Sequence, residues 1–471
     1  MRLNPEIQRN LWLEFSWHRA IAMPVVLALI LLAVSHASSD GEDVKNVFLA
    51  SFGLFYLIVS LWGGYKAASS VVDEVNDNTW DFQRLSALTP WSLTVGKLFG
   101  APSYAWYGGI ILFIIICITL PYSGSGLWQR EGMIAPIHII TAALTVHAVA
   151  LLSSLISIQG NTKAHRKYRA FGYLIVGLFI VGRFIGGNAS DILMTPRMAG
   201  LMPKTIDWYG WSCDAGIFQL ITALSLLGWC IAGIYWQMRY QMGEKNTPIL
   251  WISFVAFWLI HIGGGGSPIA RLDPLQDLPA VLRSMTPFAF SIACFYIMAF
   301  WESWGLVSYR KLSTLIAEKN YKEVWATCPR WLVALPLCLL AAAWPIVLLK
   351  TAVDLSALLT FVGIVLCFSI RDVAILHFFK LSLDTRRAKQ ATLFYLVVLY
   401  GLLPFLCSVL HWDAGKNFLL PLLNLHDRIM PGHMTSVKPI EPTLLFAPYI
   451  QACIAILLAA WKWNRNKNLP A

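Results

Sequence analysis

Apolar stretches of the length needed to cross a hydrocarbon core recur from one end of this sequence to the other. A bilayer-spanning helix needs about 17–25 such residues, and within lipid only helices and closed barrels satisfy every backbone polar group. Twelve stretches meet or approach that length, near residues 20–35, 47–64, 101–120, 134–158, 170–187, 213–236, 248–264, 287–306, 331–349, 356–379, 391–410 and 444–461. The first is the shortest and contains Pro24. The expected fold class is an all-α polytopic membrane protein of about twelve transmembrane helices. Composition agrees: 57% of the 471 residues are hydrophobic and 13% charged, about half the charged share of a soluble domain. A water-soluble fold is thereby excluded.

The net charge of +11 would suit a nucleic-acid binder if the basic residues shared one patch. They are sorted by side instead. Alternate loops, from residues 1–19 to the tail beginning at Lys462, hold 24 of the 36 Lys and Arg, and the opposite set holds 10. Arg183 and Arg371 fall inside spans. Because Lys and Arg resist translocation, both termini are expected in the cytoplasm, in a cell membrane of the bacterial inner-membrane type. Nucleic acid is not an expected partner. The first span would act as an uncleaved insertion signal, since no small-residue cleavage site follows it. The nine cysteines form no CxxC pair and read as small buried apolar residues; no metal ligands are expected.

The spans divide into two sixes at the Pro-containing stretch Gly243–Pro248, giving a first half over 1–240 and a second over 241–471. In each half the longest cytoplasmic loop follows the second span, a basic loop follows the fourth, and the longest external loop follows the fifth. Both halves begin on the same side, so a duplication would make them parallel repeats, a construction common in transporters. The alternative is a dimer of chains.

The most distinctive loop follows the second span. It places Asp73, Glu74, Asp77, Thr79, Trp80, Asp81 and Arg84 ahead of Leu85, Leu88, Thr89, Pro90, Trp91, Ser92, Gly96 and Lys97. Trp80, Leu85 and Leu88 can share one face of a short helix with Asp77, Asp81 and Arg84 on another, and Pro90 ends it and starts the next element. An acidic residue, Thr with a large residue, Leu-x-x-Leu-Thr-Pro-x-Ser and then Gly-Lys-Leu resembles the coupling-helix segment of ABC-2-type permeases, the membrane subunits of type-2 ABC exporters. Residues 4–18, with Ile7, Leu11 and Phe15 on one face, resemble that family's interfacial helix. The resemblance is specific over roughly residues 1–120 and topological to about 240.

That resemblance implies that Glu74, Asp77, Thr79, Trp80, Asp81 and Arg84 face or support the cleft of a separate cytoplasmic nucleotide-binding ATPase subunit. Leu85, Leu88, Pro90, Trp91 and Ser92 would fix the helix against the bundle, with Thr89 beside them, and Gly96 and Lys97 would lead into the third span. ATP and Mg would sit on the partner, with no cofactor on this chain. Two departures stand out: Asp81 occupies a position where the family commonly has Glu, and a six-span chain is half this length. The second half has a corresponding loop from Tyr309 to Trp331, but Trp325 to Pro329 is far shorter than Trp80 to Pro90. No G-x-x-x-x-G-K-[ST] phosphate loop occurs, so an exporter requires a partner to hydrolyse ATP.

Intramembrane charges are functional candidates by default. Arg371 and Asp372 are expected to pair with each other or a neighbouring helix, Arg183 to snorkel, and Glu302 and His377 to snorkel or solvate near span ends. The external segment 188–212 resembles the place where type-2 exporters carry short re-entrant helices. The last external loop holds His411, Asp413, His426, Asp427, Arg428, His433 and Glu441, which an integral-membrane enzyme acting on lipid-linked substrates by glycosyl or acyl transfer would use. A secondary transporter is the third alternative. The leading expectation is an exporter permease with no catalytic residue of its own.

Overall fold

The computed structural model describes residues 4–37, 43–86, 88–123, 134–158, 205–244, 246–264, 278–302, 304–349, 355–382, 387–420 and 442–468. The chain splits into two compact units, one of Met1–Ile206 with Ser212–Asn246 and the other of Asp207–Trp211 with Thr247–Ala471. Among the described residues ten helices are long and apolar enough to cross a membrane, and a shorter apolar helix, Ile249–Gly263, occupies the seventh expected span. Only the fifth expected span, 170–187, lies outside the described residues, and Arg183 with it. The chain is thus a helical, multi-pass membrane protein.

The first unit opens with α1 (Pro5–Glu14), a surface helix started by Asn4, whose side chain accepts from Glu6 N–H while Pro5 takes the first turn. That pairing of cap and proline is the standard chemistry of a helix start. The spanning helices α2 (Trp17–Ala37) and α3 (Asp43–Asn76) follow. Two short helices, α4 (Trp80–Leu85) and α5 (Pro90–Val95), come before α6 (Ser103–Thr119), α7 (Ile134–Ser157) and α8 (Ala215–Gln241). The core between α2, α3 and α6 is aliphatic and aromatic, built on Leu27, Phe48, Phe55, Val59, Leu112 and Ile116.

Helix α3 departs from expectation. It does not stop near residue 64 but runs on to Asn76, and its middle, Tyr56–Gly63, is π-helical. A π turn breaks the regular ladder and leaves backbone groups free, and here the Val59 carbonyl accepts from His147 Nε2 on α7 at 2.7 Å. Gly63 makes the approach possible, since a Cβ there would stand 2.8 Å from that nitrogen. Residues 205–214, expected partly within re-entrant helices, form the strands β1 (Thr205–Trp208) and β2 (Trp211–Asp214). Their turn carries Tyr209 at φ 49° and Gly210 at φ 82°, the left-handed pair that a tight hairpin requires.

The second unit contains α9 (Ile249–Gly263), α10 (Leu278–Trp301), α11 (Leu306–Ala317) and α12 (Tyr321–Thr327). Next come α13 (Arg330–Leu349), α14 (Leu355–Lys380) and α15 (Ala388–Val409). The last two are α16 (Asp413–Leu419) and α17 (Pro442–Asn466). Helix α13 is interrupted at Ala342, and α15 has a π-helical stretch, Val398–Leu402, just ahead of Pro404. The same order of neighbours recurs in the two units. First packs on second (α2 on α3, α9 on α10), second on third (α3 on α6, α10 on α13), and fourth on sixth (α7 on α8, α14 on α17).

Candidate functional site

The segment singled out by the sequence is organised around a buried knot of charge. Glu74, in the last turn of α3, accepts on a single oxygen from Arg9 at 2.5 Å, Gln83 at 2.6 Å and Lys97 at 2.5 Å. Glu6 on α1 accepts from Arg9 at 2.8 Å and from Lys97 at 2.9 Å. Two carboxylates and two cations therefore neutralise one another, with Lys97 1% and Glu6 2% exposed. Lys97 and Glu6 are withdrawn from water and Glu74 mostly so, while Arg9 stands at the rim, 42% exposed; burying charge is costly unless it is paired, so the arrangement holds only while α1, α3, α4 and the start of the third span stay together. Gly96 permits it, because any Cβ at that position would collide with the side chain of Glu6.

Further bonds fix the surrounding elements. Asn4 donates to the Ser92 carbonyl at 2.8 Å and accepts from the Ser92 hydroxyl at 3.0 Å, tying the head of α1 to α5. Thr89 caps α5 by accepting from Ser92 N–H at 3.1 Å, and Pro90 opens that helix as expected. Between α3 and α4 the chain turns through Asn78 at φ 58°, a conformation Asn tolerates better than most residues. Trp80 is buried and anchors α4 from within.

The outward side of α4 is different in kind. Asp77, Thr79, Asp81 and Arg84 are exposed, Asp81 and Arg84 pair at 3.2 Å, and Phe82 and Leu85 are 77% and 86% exposed. Leu85 therefore does not fix the helix against the bundle. The helix ends at Leu85, with the Ser86 hydroxyl donating back to the Gln83 carbonyl at 2.6 Å, so a common face for Trp80, Leu85 and Leu88 does not form. Trp91 is half exposed, its ring edge against Tyr235 of α8 with centroids 5.9 Å apart. Glu6, Arg9 and Gln83 lie outside the sequence expectation for this site, as does Asn10, whose side chain donates to the Glu6 carboxylate at 3.3 Å. A Glu-x-x-Arg step on the interfacial helix and a Lys following Gly96 were the available signals.

In the second unit Arg371 and Asp372 are buried and paired at 2.9 Å. Asp372 also accepts from Tyr296 and Tyr400, each at 2.8 Å, while Arg371 donates to Gln451 and lies over the rings of Phe368 and Tyr400. The pair links α10, α14, α15 and α17. Glu302 and His377 are buried rather than solvated. The Glu302 carboxylate accepts from Arg330 N–H at 2.9 and 3.0 Å, and Lys380 donates to the carbonyls of Ala299 and Glu302 at 2.6 and 2.8 Å. Burial pushes the Glu302 carboxyl up, against the lowering pull of Arg330 and Lys380.

The loop from Tyr309 to Trp331, the topological counterpart of the first, holds most of α11, which begins at Leu306, and all of α12. Asp413 starts α16, whereas His426, Asp427, Arg428, His433 and Glu441 lie outside the described residues. Among the described residues no three His, Cys, Asp or Glu side chains stand close enough to hold a metal ion. No protein-family model matches this chain, nor does any curated protein or solved structure. The resemblance to ABC-2-type permeases therefore rests on its motif residues alone.

Proposed function

We propose that this chain is the membrane-spanning permease subunit of an ATP-driven exporter, moved by a separate ATPase that docks on α4. One observation carries the reading: α4 is two-faced in a way suited to passing on force. Its inner side, through Gln83 and Trp80, is tied or packed against the charge knot and span ends, while its outer side presents Phe82 and Leu85 among Asp81 and Arg84. A partner pushing on that outer side would move the end of α3 and the start of the third span together. Spans tilting in this way would open a path between them, with ATP and Mg held by the partner.

The repeated neighbour order supports one chain supplying both membrane halves. So does a repeated tie: a carboxylate at the end of the second span is held by the start of the third, Glu74 by Lys97 and Glu302 by Arg330. The test is purification of the tagged full-length protein from its native membrane. The exporter reading expects a co-purifying ATPase, lost from Leu85→Asp and Phe82→Asp variants that still insert and elute as wild type. Absence of ATPase from the wild-type preparation, or its retention by both variants, overturns the reading.

A further inference from the structure

The hairpin of β1 and β2 is a two-faced ribbon. Strand side chains alternate between faces, and the two-residue turn Tyr209–Gly210 sets Trp208 and Trp211 opposite each other on one of them. Ile206 and Cys213 continue that apolar face, while Thr205, Asp207, Ser212 and Asp214 form the other. The four polar residues are all exposed. On the apolar face Ile206, Trp208 and Cys213 are partly covered, and Trp211 is left 72% exposed.

The tip of the ribbon is seated on the end of α9. The Trp208 indole donates to the His261 carbonyl at 3.0 Å, the Tyr209 hydroxyl to the Ile260 carbonyl at 2.9 Å, and the Tyr209 N–H to the Gly264 carbonyl at 2.9 Å. Gly264 makes room, since a Cβ there would stand 2.1 Å from Trp208 Nε1. Helix α9 has 15 residues, about 22 Å at about 1.5 Å each, against a hydrocarbon core of about 30 Å. One of its ends therefore stops short of a lipid boundary, where last-turn carbonyls cannot stay bare. The hairpin supplies donors at the Gly263 end.

Lipid-facing surface adjoins this seat. Helix α9 packs inward through Val255 and Leu259, whereas Ile260 is 54% exposed on a helix of a membrane protein. Tyr209, which holds the carbonyl of that same residue, is itself half exposed. Exposed apolar side chains thus continue from the span onto the hairpin. Trp and Tyr collect at the membrane–water boundary because each joins an apolar ring to a polar tip. Asp207 and Asp214 on the reverse face need water, so the ribbon suits a boundary and neither phase alone.

We infer that this hairpin lies in the headgroup layer of the bilayer, with Trp211 against the acyl chains and Asp207 toward water, closing the Gly263 end of α9. The inference is independent of the exporter reading, since it uses no residue of α4 or of the charge knot.

The experiment uses the full chain in nanodiscs, with the fluorescent amino acid acridonylalanine in place of Trp211 in one preparation and of Asp207 in another. Both positions are exposed, so neither change disturbs packing. Lipids carrying a nitroxide near the headgroup should quench the probe at 211 more than lipids carrying it at the tail end. Aqueous iodide should quench it less than the probe at 207, and the 207 probe should lose little emission to either lipid. Iodide quenching alike at both positions overturns the proposal. So does a 211 probe shielded from lipid and iodide together, which would place a protein surface over it, or one quenched most by the tail-end nitroxide.

Discussion

Glu302 shows how burial sets the behaviour of a single side chain. A carboxyl whose value is raised in the folded state holds its proton more tightly there than in the unfolded chain. Its contribution to stability is then complete below its unfolded value, about 4.3, and is lost as pH rises through the raised one. Glu302→Gln mimics the protonated form and can still accept from Arg330 N–H. Melting curves in detergent should therefore diverge in the variant's favour as pH rises above about 4.3, and parallel curves would refute the assignment. Lys97 shows instead the cost of a missing partner. Lys97→Met leaves the Glu6 and Glu74 carboxylates with Arg9 as their one cation and should destabilise the first unit by about 3–5 kcal/mol, with Glu74→Gln added to it recovering part of the loss in the same melt. The sequence marked Glu74 and Lys97 as belonging to one segment but not as partners. Glu6 and Arg9 come from the far end of another helix, and no local pattern states that four charges meet.

Among the elements, α4 and α1 separate what periodicity can show from what it cannot. Apolar residues at 80, 85 and 88 suggested one amphipathic helix, but helical spacing fixes a face only while the helix lasts, and this one stops at Leu85. Residues beyond the break lose that register. The start of α5 was more legible, because a Thr cap followed by Pro is a local chemical signal. For α1, position depends on Gly96. Gly96→Val should push α1 away from the third span and cost about 1–3 kcal/mol, as overpacking generally does. Gly53→Ala is the matched control, since nothing lies within 4 Å of a Cβ there. A thermal melt that treats the two alike would contradict the close approach of Glu6.

At the scale of the molecule, the spans were the most legible feature, because hydropathy is a property of consecutive residues and needs no knowledge of partners. Span ends were less so: α3 outruns its apolar stretch by using small and polar residues, Gly64 to Asn76, that read as loop. The main boundary between the units falls between Asn246 and Thr247, beside the Gly243–Pro248 stretch, with the turn segment Asp207–Trp211 belonging to the second unit. Each unit has its own buried clusters. A chain of residues 247–471 expressed alone should therefore insert and keep a protease-resistant core of the same size as in the full protein. Complete digestion would show that this part of the chain depends on residues before Thr247.

The length of α3 has a consequence for what hangs from it. Its apolar part, Asp43–Gly63, measures about 31 Å at about 1.5 Å per residue, already enough for a hydrocarbon core of about 30 Å. The further turns, Gly64–Asn76, are therefore a stalk rather than a span. The number of those turns sets how far from the lipid core Phe82 and Leu85 are offered.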